Sequence, residues 1–183
     1  MNAPLPPGAL DAPGSLPPAA GGLSDVPRAQ RQTEVVQALR ALLPEHALLW
    51  HQEDVVPYEC DGLTAYRATP LCVALPETEA QVAAVLRTCH RLQVPVVARG
   101  AGTGLSGGAM PHERGVTLSL AKFNKILQVD PVSRTATVQC GVRNLAISEA
   151  AAPYGLYYAP DPSSKSPARL VATWPRTLVA CIA

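Results

Sequence analysis

The spacing of apolar residues divides the chain into a first region of helical period and a later region where strands and helices alternate. Between residues 28 and 43 the apolar positions fall on one face of a helix, and Pro44 ends that helix. The face consists of Val35, Val36, Leu39, Leu42 and Leu43. Residues 45–70 have no sustained period, which predicts an irregular approach segment.

From residue 71 onward, short apolar runs separated by turn residues predict β-strands. The runs cover residues 71–75, 95–98, 115–120, 126–129 and 135–140. Thr78 and Gln81 have the spacing of a capping box, so a helix is predicted to begin after Thr78. Its inner face would hold Val82, Val85, Leu86, Cys89 and Leu92.

A last helix is predicted from Asn144, acting as its N-cap, to about Ala152, because Pro153 and Gly155 end the pattern. The alternation of strands with helices predicts an α+β fold, with a small β-sheet flanked by helices.

Composition sets the first 27 residues apart from the remainder. They contain seven prolines and four glycines, and Asp11 and Asp25 are their only charged residues. Such a segment buries too little apolar surface to offset about 1–2 kcal/mol of backbone entropy per ordered residue. We therefore expect a disordered leader over residues 1–27.

Charge and cysteine spacing exclude several classes of function. The 15 basic and 14 acidic residues give a net charge of +1 without a basic run, so we expect no nucleic-acid partner. No apolar stretch reaches the roughly 18 residues of a membrane-spanning helix, and no secretory signal is present, which predicts a soluble, cytoplasmic protein. The five cysteines form no C-x-x-C pair, so we expect structural thiols and no metal site.

A glycine-rich loop follows the predicted strand at residues 95–98. It consists of Arg99, Gly100, Ala101, Gly102, Thr103, Gly104, Leu105, Ser106, Gly107 and Gly108. Five glycines in these ten residues let successive backbone N–H groups converge on an anion, typically a diphosphate. Thr103 and Ser106 add hydroxyl donors, and Arg99 is expected to add positive charge at the rim. A flexible surface loop is the alternative, but the preceding strand and the hydroxyls favour a binding site.

The sequence after the loop excludes two common nucleotide folds. Residues 102–107 satisfy G-x-G-x-x-G, but that fingerprint must open a helix, and Pro111 follows too soon. A P-loop requires a Lys-Ser or Lys-Thr pair at a fixed spacing after its glycines, and no such pair follows this loop at that spacing. The loop therefore belongs to a fold in which a strand-to-strand connection holds the phosphates.

The segment Pro-Val-Val-Ala-Arg-Gly-Ala-Gly-Thr-Gly-Leu-Ser-Gly-Gly-Ala at residues 95–109 resembles the pyrophosphate loop of the PCMH-type, or vanillyl-alcohol-oxidase-type, FAD-binding domain. Within that superfamily it is most similar to bacterial glycolate oxidase and D-lactate dehydrogenase-like FAD-linked oxidases. Residues 76–79, 139–142 and 158–164 match further motifs of the family, and the resemblance covers about residues 30–164.

The resemblance implies that residues 99–108 bind the diphosphate of FAD and that Gly141 lies close to the cofactor. It places Pro160, Asp161, Ser163 and Ser164 near the isoalloxazine. Thr103 stands where some relatives carry a histidine that attaches FAD, so we expect non-covalent FAD.

In the intact family protein, the resemblance implies oxidation of a 2-hydroxy acid, either glycolate or D-lactate, by hydride transfer to the flavin. It also suggests partner subunits, one with an FAD domain and one with an iron–sulfur centre, at the inner face of the membrane. The family's catalytic residues lie in a substrate domain that this chain lacks, so no catalytic residue is predicted. His90 is predicted to be a surface residue and His112 to lie in a turn.

After Ser164 the family motif, which contains Gly-Gly-Asn, is absent. One cytosine inserted ahead of the Lys165 codon, with synonymous codons chosen to suit, restores that motif from the present tail. A frameshift is therefore expected, with a partial FAD domain over residues 71–164 and a tail over 165–183 outside the family. The alternative function is a non-catalytic nucleotide-binding module or an inactive remnant.

Overall fold

The first β-sheet carries the glycine loop at one edge. The computed structural model describes residues 26–159 and the backbone of residues 178–181. Four strands pair in the order β1-β2-β4-β3, in which β1 is antiparallel and the other three are parallel. They are β1 (Leu48–Leu49), β2 (Cys72–Ala74), β3 (Val96–Arg99) and β4 (Val116–Ser119). Since β3 is an edge strand, the loop that follows it leaves the sheet at its rim.

Helix α3 (Glu79–Arg91) forms the crossover from β2 to β3 and begins with the predicted capping box. The backbone N–H of Gln81 donates to the Thr78 hydroxyl at 3.2 Å, and the Gln81 side chain accepts from the N–H of Thr78 at 3.1 Å. Val82, Val85 and Cys89 of its inner face are buried, as the apolar spacing predicts.

Two further helices precede the crossover. They are α1 (Arg28–Arg40) and the short α2 (Gln52–Val55). The apolar face of α1 packs into the same core as α3 and the first sheet, and Val35 and Leu39 are fully buried there. The prediction of a helix ended near Pro44 is confirmed: the last intrahelical-type bond joins the N–H of Leu43 to the carbonyl of Leu39.

The second sheet is antiparallel and has a core of its own. Its strands are β5 (Ile126–Asp130), β6 (Thr135–Val138) and β7 (Leu178–Cys181), in the order β5-β6-β7. Helix α4 (Asn144–Ala151) covers it and buries Ile147 with Val138 and Val142. Strand β7 is not among the predicted elements, and it comes from the tail that follows Ser164.

The structure corrects two local predictions. The irregular segment predicted over residues 45–70 contains β1, α2 and 3-10 turns, because a two-residue strand is too short for a period-2 pattern to reveal. Asn144 is the first residue of α4 and not its cap: Arg143 occupies the N-cap position, and no side chain caps the helix.

Most of the predicted leader lies outside the described residues. Its last two residues, Val26 and Pro27, are held by the domain rather than free. The Arg114 guanidinium donates to the carbonyl of Val26 at 2.8 Å, and the N–H of Arg31 donates to that of Pro27 at 3.0 Å. Residues 26 and 27 therefore belong with the folded part of the chain.

Candidate functional site

The predicted cradle is an irregular loop between β3 and β4. It begins at the C-terminal end of β3 and contains two glycines with positive φ, Gly102 at 71° and Gly107 at 75°. Only glycine adopts such angles without strain, so these two positions require it. The composition of the loop is thus explained in part by its own backbone.

The backbone amides of this loop are available to a ligand. Within the described part of the chain, the N–H groups of residues 100–108 donate to no acceptor, whereas the N–H of Met110 bonds the carbonyl of Gly107 at 3.1 Å. Nothing lies within 4 Å of the position that a Cβ would take on Gly104 or Gly108. Unpaired amides beside open space are what a diphosphate requires. The loop therefore fits the pyrophosphate of FAD, and a side chain at either glycine would fill the space.

The exposed hydroxyl residues of the loop are in keeping with this fit. Thr103 and Ser106 face solvent, and neither makes a side-chain hydrogen bond within the described residues. Leu105 lies between them with 71% of its surface exposed. These side chains are free to turn toward an anion held by the amides.

Arg99 does not lie at the rim, where the sequence predicts it. Its side chain turns beneath the loop and is only 8% exposed. Nη1 donates to the carbonyl of Cys60 at 2.7 Å and reaches that of Ala109 at 3.5 Å, and the guanidinium stands 5.5 Å from the centre of the Tyr58 ring. A side chain on Gly102 would overlap this guanidinium. Arg99 therefore supports the loop from behind and brings its positive charge to the back of the cradle.

The structure adds one neighbour that the sequence pattern did not indicate. Gly62, in the segment before β2, lies so close to the loop that a Cβ there would be 2.6 Å from the carbonyl oxygen of Thr103 and 2.9 Å from that of Gly104. Its only sequence signal is an isolated Asp-Gly pair, which is also typical of an ordinary turn. Contact across 40 residues of chain is visible only in the tertiary structure.

Gly141 has a structural explanation of its own. Its N–H donates to the carbonyl of Phe123 at 2.7 Å, and a Cβ there would overlap the carbonyl oxygen of Leu120. The turn before β5 thus fills the space beside Gly141. The four residues assigned to the isoalloxazine, Pro160, Asp161, Ser163 and Ser164, lie outside the described residues.

The cysteines and histidines form no reactive centre in residues 26–159. Cys72, Cys89 and Cys140 are buried, as predicted, and burial raises the pKa of each thiol, to about 12 for Cys72 and about 11 for Cys89. His90 is exposed, and the ring of His112 accepts from the backbone N–H of Arg114 at 3.1 Å within a turn. No group of three metal-ligating side chains occurs in that range, and none of its helices is long and apolar enough to cross a membrane.

Comparison with known proteins decides the family. A model described as an FAD binding domain matches residues 70–175, which is more than half of the chain. The chain belongs to that FAD-binding family. The match begins just before β2, includes the whole glycine loop and continues past Ser164. FAD is therefore the cofactor to which this fold is adapted.

The curated proteins that the chain resembles include a glycolate oxidase subunit and a 2-hydroxy-acid dehydrogenase. It is 59% identical over 145 residues to the glycolate oxidase subunit GlcD of Escherichia coli K12, covering 79% of this chain and 28% of that protein. It is 36% identical over 126 residues to a D-2-hydroxyglutarate dehydrogenase of Xanthomonas citri, covering 69% of this chain and 27% of the relative. The chain thus spans somewhat more than a quarter of the length of these relatives.

Solved structures confirm the PCMH-type α+β fold. A p-cresol methylhydroxylase structure with substrate bound aligns with a TM-score of 0.61 and 28% identity, over 69% of this chain and 25% of that one. An alkyldihydroxyacetonephosphate synthase aligns with a TM-score of 0.66 and 22% identity, over 75% of this chain and 28% of that one. The second likeness concerns the fold alone.

Proposed function

We propose that the loop of residues 99–108 holds the diphosphate of FAD, as part of a flavin-dependent oxidoreductase that acts on a 2-hydroxy acid. The observation that carries this proposal is that the N–H groups of residues 100–108 have no acceptor within the described residues, in a loop with open space at the Cβ positions of Gly104 and Gly108. The family match over residues 70–175 supports FAD as the ligand.

The chain's own residues would hold the diphosphate in three ways. Backbone amides donate hydrogen bonds to its oxygens, and each bond to a charged group contributes about 1.5–3 kcal/mol. The Arg99 guanidinium behind Gly102 offsets part of the negative charge. Thr103 and Ser106 supply hydroxyl donors from the exposed side.

The substrate class follows from the relatives' names. The names of three relatives contain glycolate, D-2-hydroxyglutarate and D-lactate, which are all 2-hydroxy acids. FAD, when bound, would accept a hydride from the carbon that bears the substrate hydroxyl. We assign no catalytic residue to the described part of this chain, and glycolate and D-lactate remain alternatives for the intact protein.

Thr103 supports non-covalent binding, since the loop of residues 99–108 contains no histidine that could form a bond to the flavin. We further propose that Gly141 lies close to the cofactor and that Pro160, Asp161, Ser163 and Ser164 lie near the isoalloxazine, as the family resemblance implies. The contacts of Gly141 with the Phe123 turn give that glycine a packing role as well.

We propose partner subunits for the intact protein, namely a second FAD-domain subunit and an iron–sulfur subunit, which would hold it at the cytoplasmic face of the membrane. The word "subunit" in the name of the Escherichia coli relative supports an assembly.

We also propose that residues 165–183 are encoded in a shifted frame, which would leave a partial FAD domain over residues 71–164. The argument behind this is that synonymous codons can be chosen for residues 165–183 such that one inserted base gives a Gly-Gly-Asn motif. Resequencing the gene around the Ser164 codon tests it, and a codon set that gives no such motif in the shifted frame would rule it out.

The test of the diphosphate site is a calorimetric titration of the 183-residue chain with FAD. We expect weak but saturable binding in which ADP competes, and Gly104→Ala should raise the Kd at least tenfold because its methyl group enters open space that the diphosphate would use. The melting temperature without FAD should stay within about 2 °C, since that methyl group meets no protein atom. If the original chain does not bind FAD, or if Gly104→Ala leaves its Kd for FAD unchanged, the proposed diphosphate site is wrong. A chain that does not bind FAD would favour the alternative of an inactive remnant.

A further inference from the structure

A ten-residue segment before β2 is closed on itself and lies against the glycine loop. We name residues 59–68 the strap. Its ends are joined by a hydrogen bond from the N–H of Ala68 to the carbonyl of Glu59 at 2.9 Å and by an ion pair between Arg67 and Glu59. A surface loop of this length with paired ends is an Ω-loop, a type that holds its shape through its own contacts.

The strap reaches the cradle through the backbone of Gly62. The carbonyl oxygens of Thr103 and Gly104 lie so near that no side chain fits between strap and loop. Gly62 has no positive φ, so glycine is needed here for its small size and not for its conformation. Two backbones in such contact limit each other's motion. The loop residues in contact, Thr103 and Gly104, are among those whose N–H groups have no acceptor within the described residues.

A second contact ties the strap to the base of the loop. The Arg99 guanidinium donates to the carbonyl of Cys60 at 2.7 Å, and the same nitrogen reaches the carbonyl of Ala109 at the far end of the loop. One buried cation therefore joins the strap, the first residue of the loop and the residue that follows it.

Asp61 sets the shape of the strap at the contact. Its side chain is 3% exposed, and Oδ1 accepts from the N–H of Leu63 at 2.9 Å, which closes a turn around Gly62. Oδ2 is buried and has no hydrogen-bond partner within the described residues. The carboxylate thus acts through one oxygen, by holding Gly62 against the loop.

We propose that the strap is a positioning element for the cofactor, and that Gly62 and Asp61 set the affinity for FAD without touching it. A free loop with five glycines in ten residues loses much backbone entropy when it orders around a ligand. A loop that the strap has already ordered loses less, so its affinity is higher. This inference rests on the proposed diphosphate site, but the order of the loop can be measured without FAD.

The experiment uses Gly62→Ala in the 183-residue chain, with two measurements. Backbone ¹⁵N relaxation without FAD should give order parameters of about 0.8 for residues 100–108 in the original chain and below about 0.6 in the variant. Calorimetry should show the Kd for FAD rising at least tenfold in the variant. The physical cause is the added methyl group, which pushes the loop from the strap.

Gly115→Ala is the matched control for general destabilisation. A Cβ on Gly115 would lie 2.8 Å from the carbonyl oxygen of Pro95, so this change is also crowded, but it lies before β4, at the opposite end of the sheet from the cradle. We expect it to lower the melting temperature while loop order parameters and FAD affinity of the folded chain stay unchanged.

Asp61 is tested with two substitutions. Asp61→Ala removes the acceptor for Leu63 and should reproduce the effects of Gly62→Ala, whereas Asp61→Asn keeps an oxygen at that position and should restore loop order and affinity to within about threefold. Asp130→Ala is the control, because Asp130 accepts from the N–H groups of Val132 and Ser133 in a similar turn far from the loop.

The outcomes separate this inference from the proposed function. If the order parameters of residues 100–108 are unchanged in Gly62→Ala, the strap does not order the loop and the proposal is wrong, whether or not FAD binds. If Gly62→Ala lowers the order parameters of the loop but keeps the Kd for FAD within twofold of the original, the strap does not set the affinity for FAD. If the original chain does not bind FAD but Gly62→Ala still disorders the loop, the ordering role is supported and the proposed function fails.

Discussion

Individual glycines in this chain serve different physical purposes, and the space around each one tells them apart. Gly104 faces open space, which suits a ligand. Gly141 instead faces the backbone of the turn at Leu120–Phe123 with no room for a methyl group, which is a packing requirement. The glycine-rich loop assigns Gly104 to the cofactor and the family resemblance assigns Gly141 to it, because a sequence shows only that a side chain is absent.

Gly141→Ala should therefore destabilise the fold whether or not FAD is present. The added methyl group would overlap the carbonyl oxygen of Leu120, and overpacking of this kind costs about 1–3 kcal/mol. Urea unfolding followed by circular dichroism measures this change. Gly104→Ala is the control, with an expected change below about 0.5 kcal/mol, and equal losses in the two variants would contradict the distinction.

The buried thiols allow a prediction about chemical modification. Burial raises the pKa of Cys72 to about 12, with a smaller contribution from nearby Cys89, and raises that of Cys89 to about 11. Because only the thiolate reacts with iodoacetamide, both should stay unmodified in the native chain at pH 8 and react after unfolding in urea.

Peptide mapping by mass spectrometry checks this, with half-buried Cys60 as the accessible control. The raised values also mean that the folded state holds these protons more tightly than the unfolded state does. Stability should therefore fall as the pH rises above about 9, where unfolded thiols ionise first. Rapid labelling of Cys72 in the native chain would contradict the prediction, because it would mean that the core around β2 unfolds locally.

At the level of elements, helix α3 is determined by local sequence more than any other element. The capping box at its start and the buried stripe along it both follow from residue type and spacing, and the structure has both. Helix α4 differs in that no side chain caps it, and it is held by the packing of Ile147 and Ala151 on the second sheet.

Thr78→Ala should lower the free energy of unfolding by about 1 kcal/mol, because the N–H of Gln81 would lose its acceptor. Chemical denaturation measures the loss. Thr33→Ala is the control, since Thr33 lies exposed inside α1, where alanine has the higher helix propensity. A loss as large in Thr33→Ala would mean that the cap is not the cause.

On the scale of the whole molecule, the described residues form two hydrophobic cores, one under each sheet. The cradle lies at the edge of the first sheet, and the chain spans only 28% of its Escherichia coli relative. Since a cofactor the size of FAD needs more than one loop to enclose it, we expect residues outside the loop of residues 99–108 to contribute to binding.

If the proposed frameshift is correct, a chain translated in the shifted frame after Ser164 should bind FAD at least 100-fold more tightly than the 183-residue chain. Parallel calorimetric titrations of the two proteins measure this, and Gly104→Ala in the longer chain controls for use of the same loop. Equal affinities would mean that the 183-residue chain already contains all the residues that determine FAD binding.

The sequence by itself determined the helix over Arg28–Arg40, the capped crossover helix, the strands around it and the position of the phosphate loop, because each depends on residue spacing or on glycine within a short segment. It also carried the family motifs that point to FAD. Only the tertiary structure decided that Arg99 lies behind the loop and that Gly62 packs against it, because these contacts join segments about 40 residues apart. Local patterns hold no information about which distant backbone will fill the space beside a glycine.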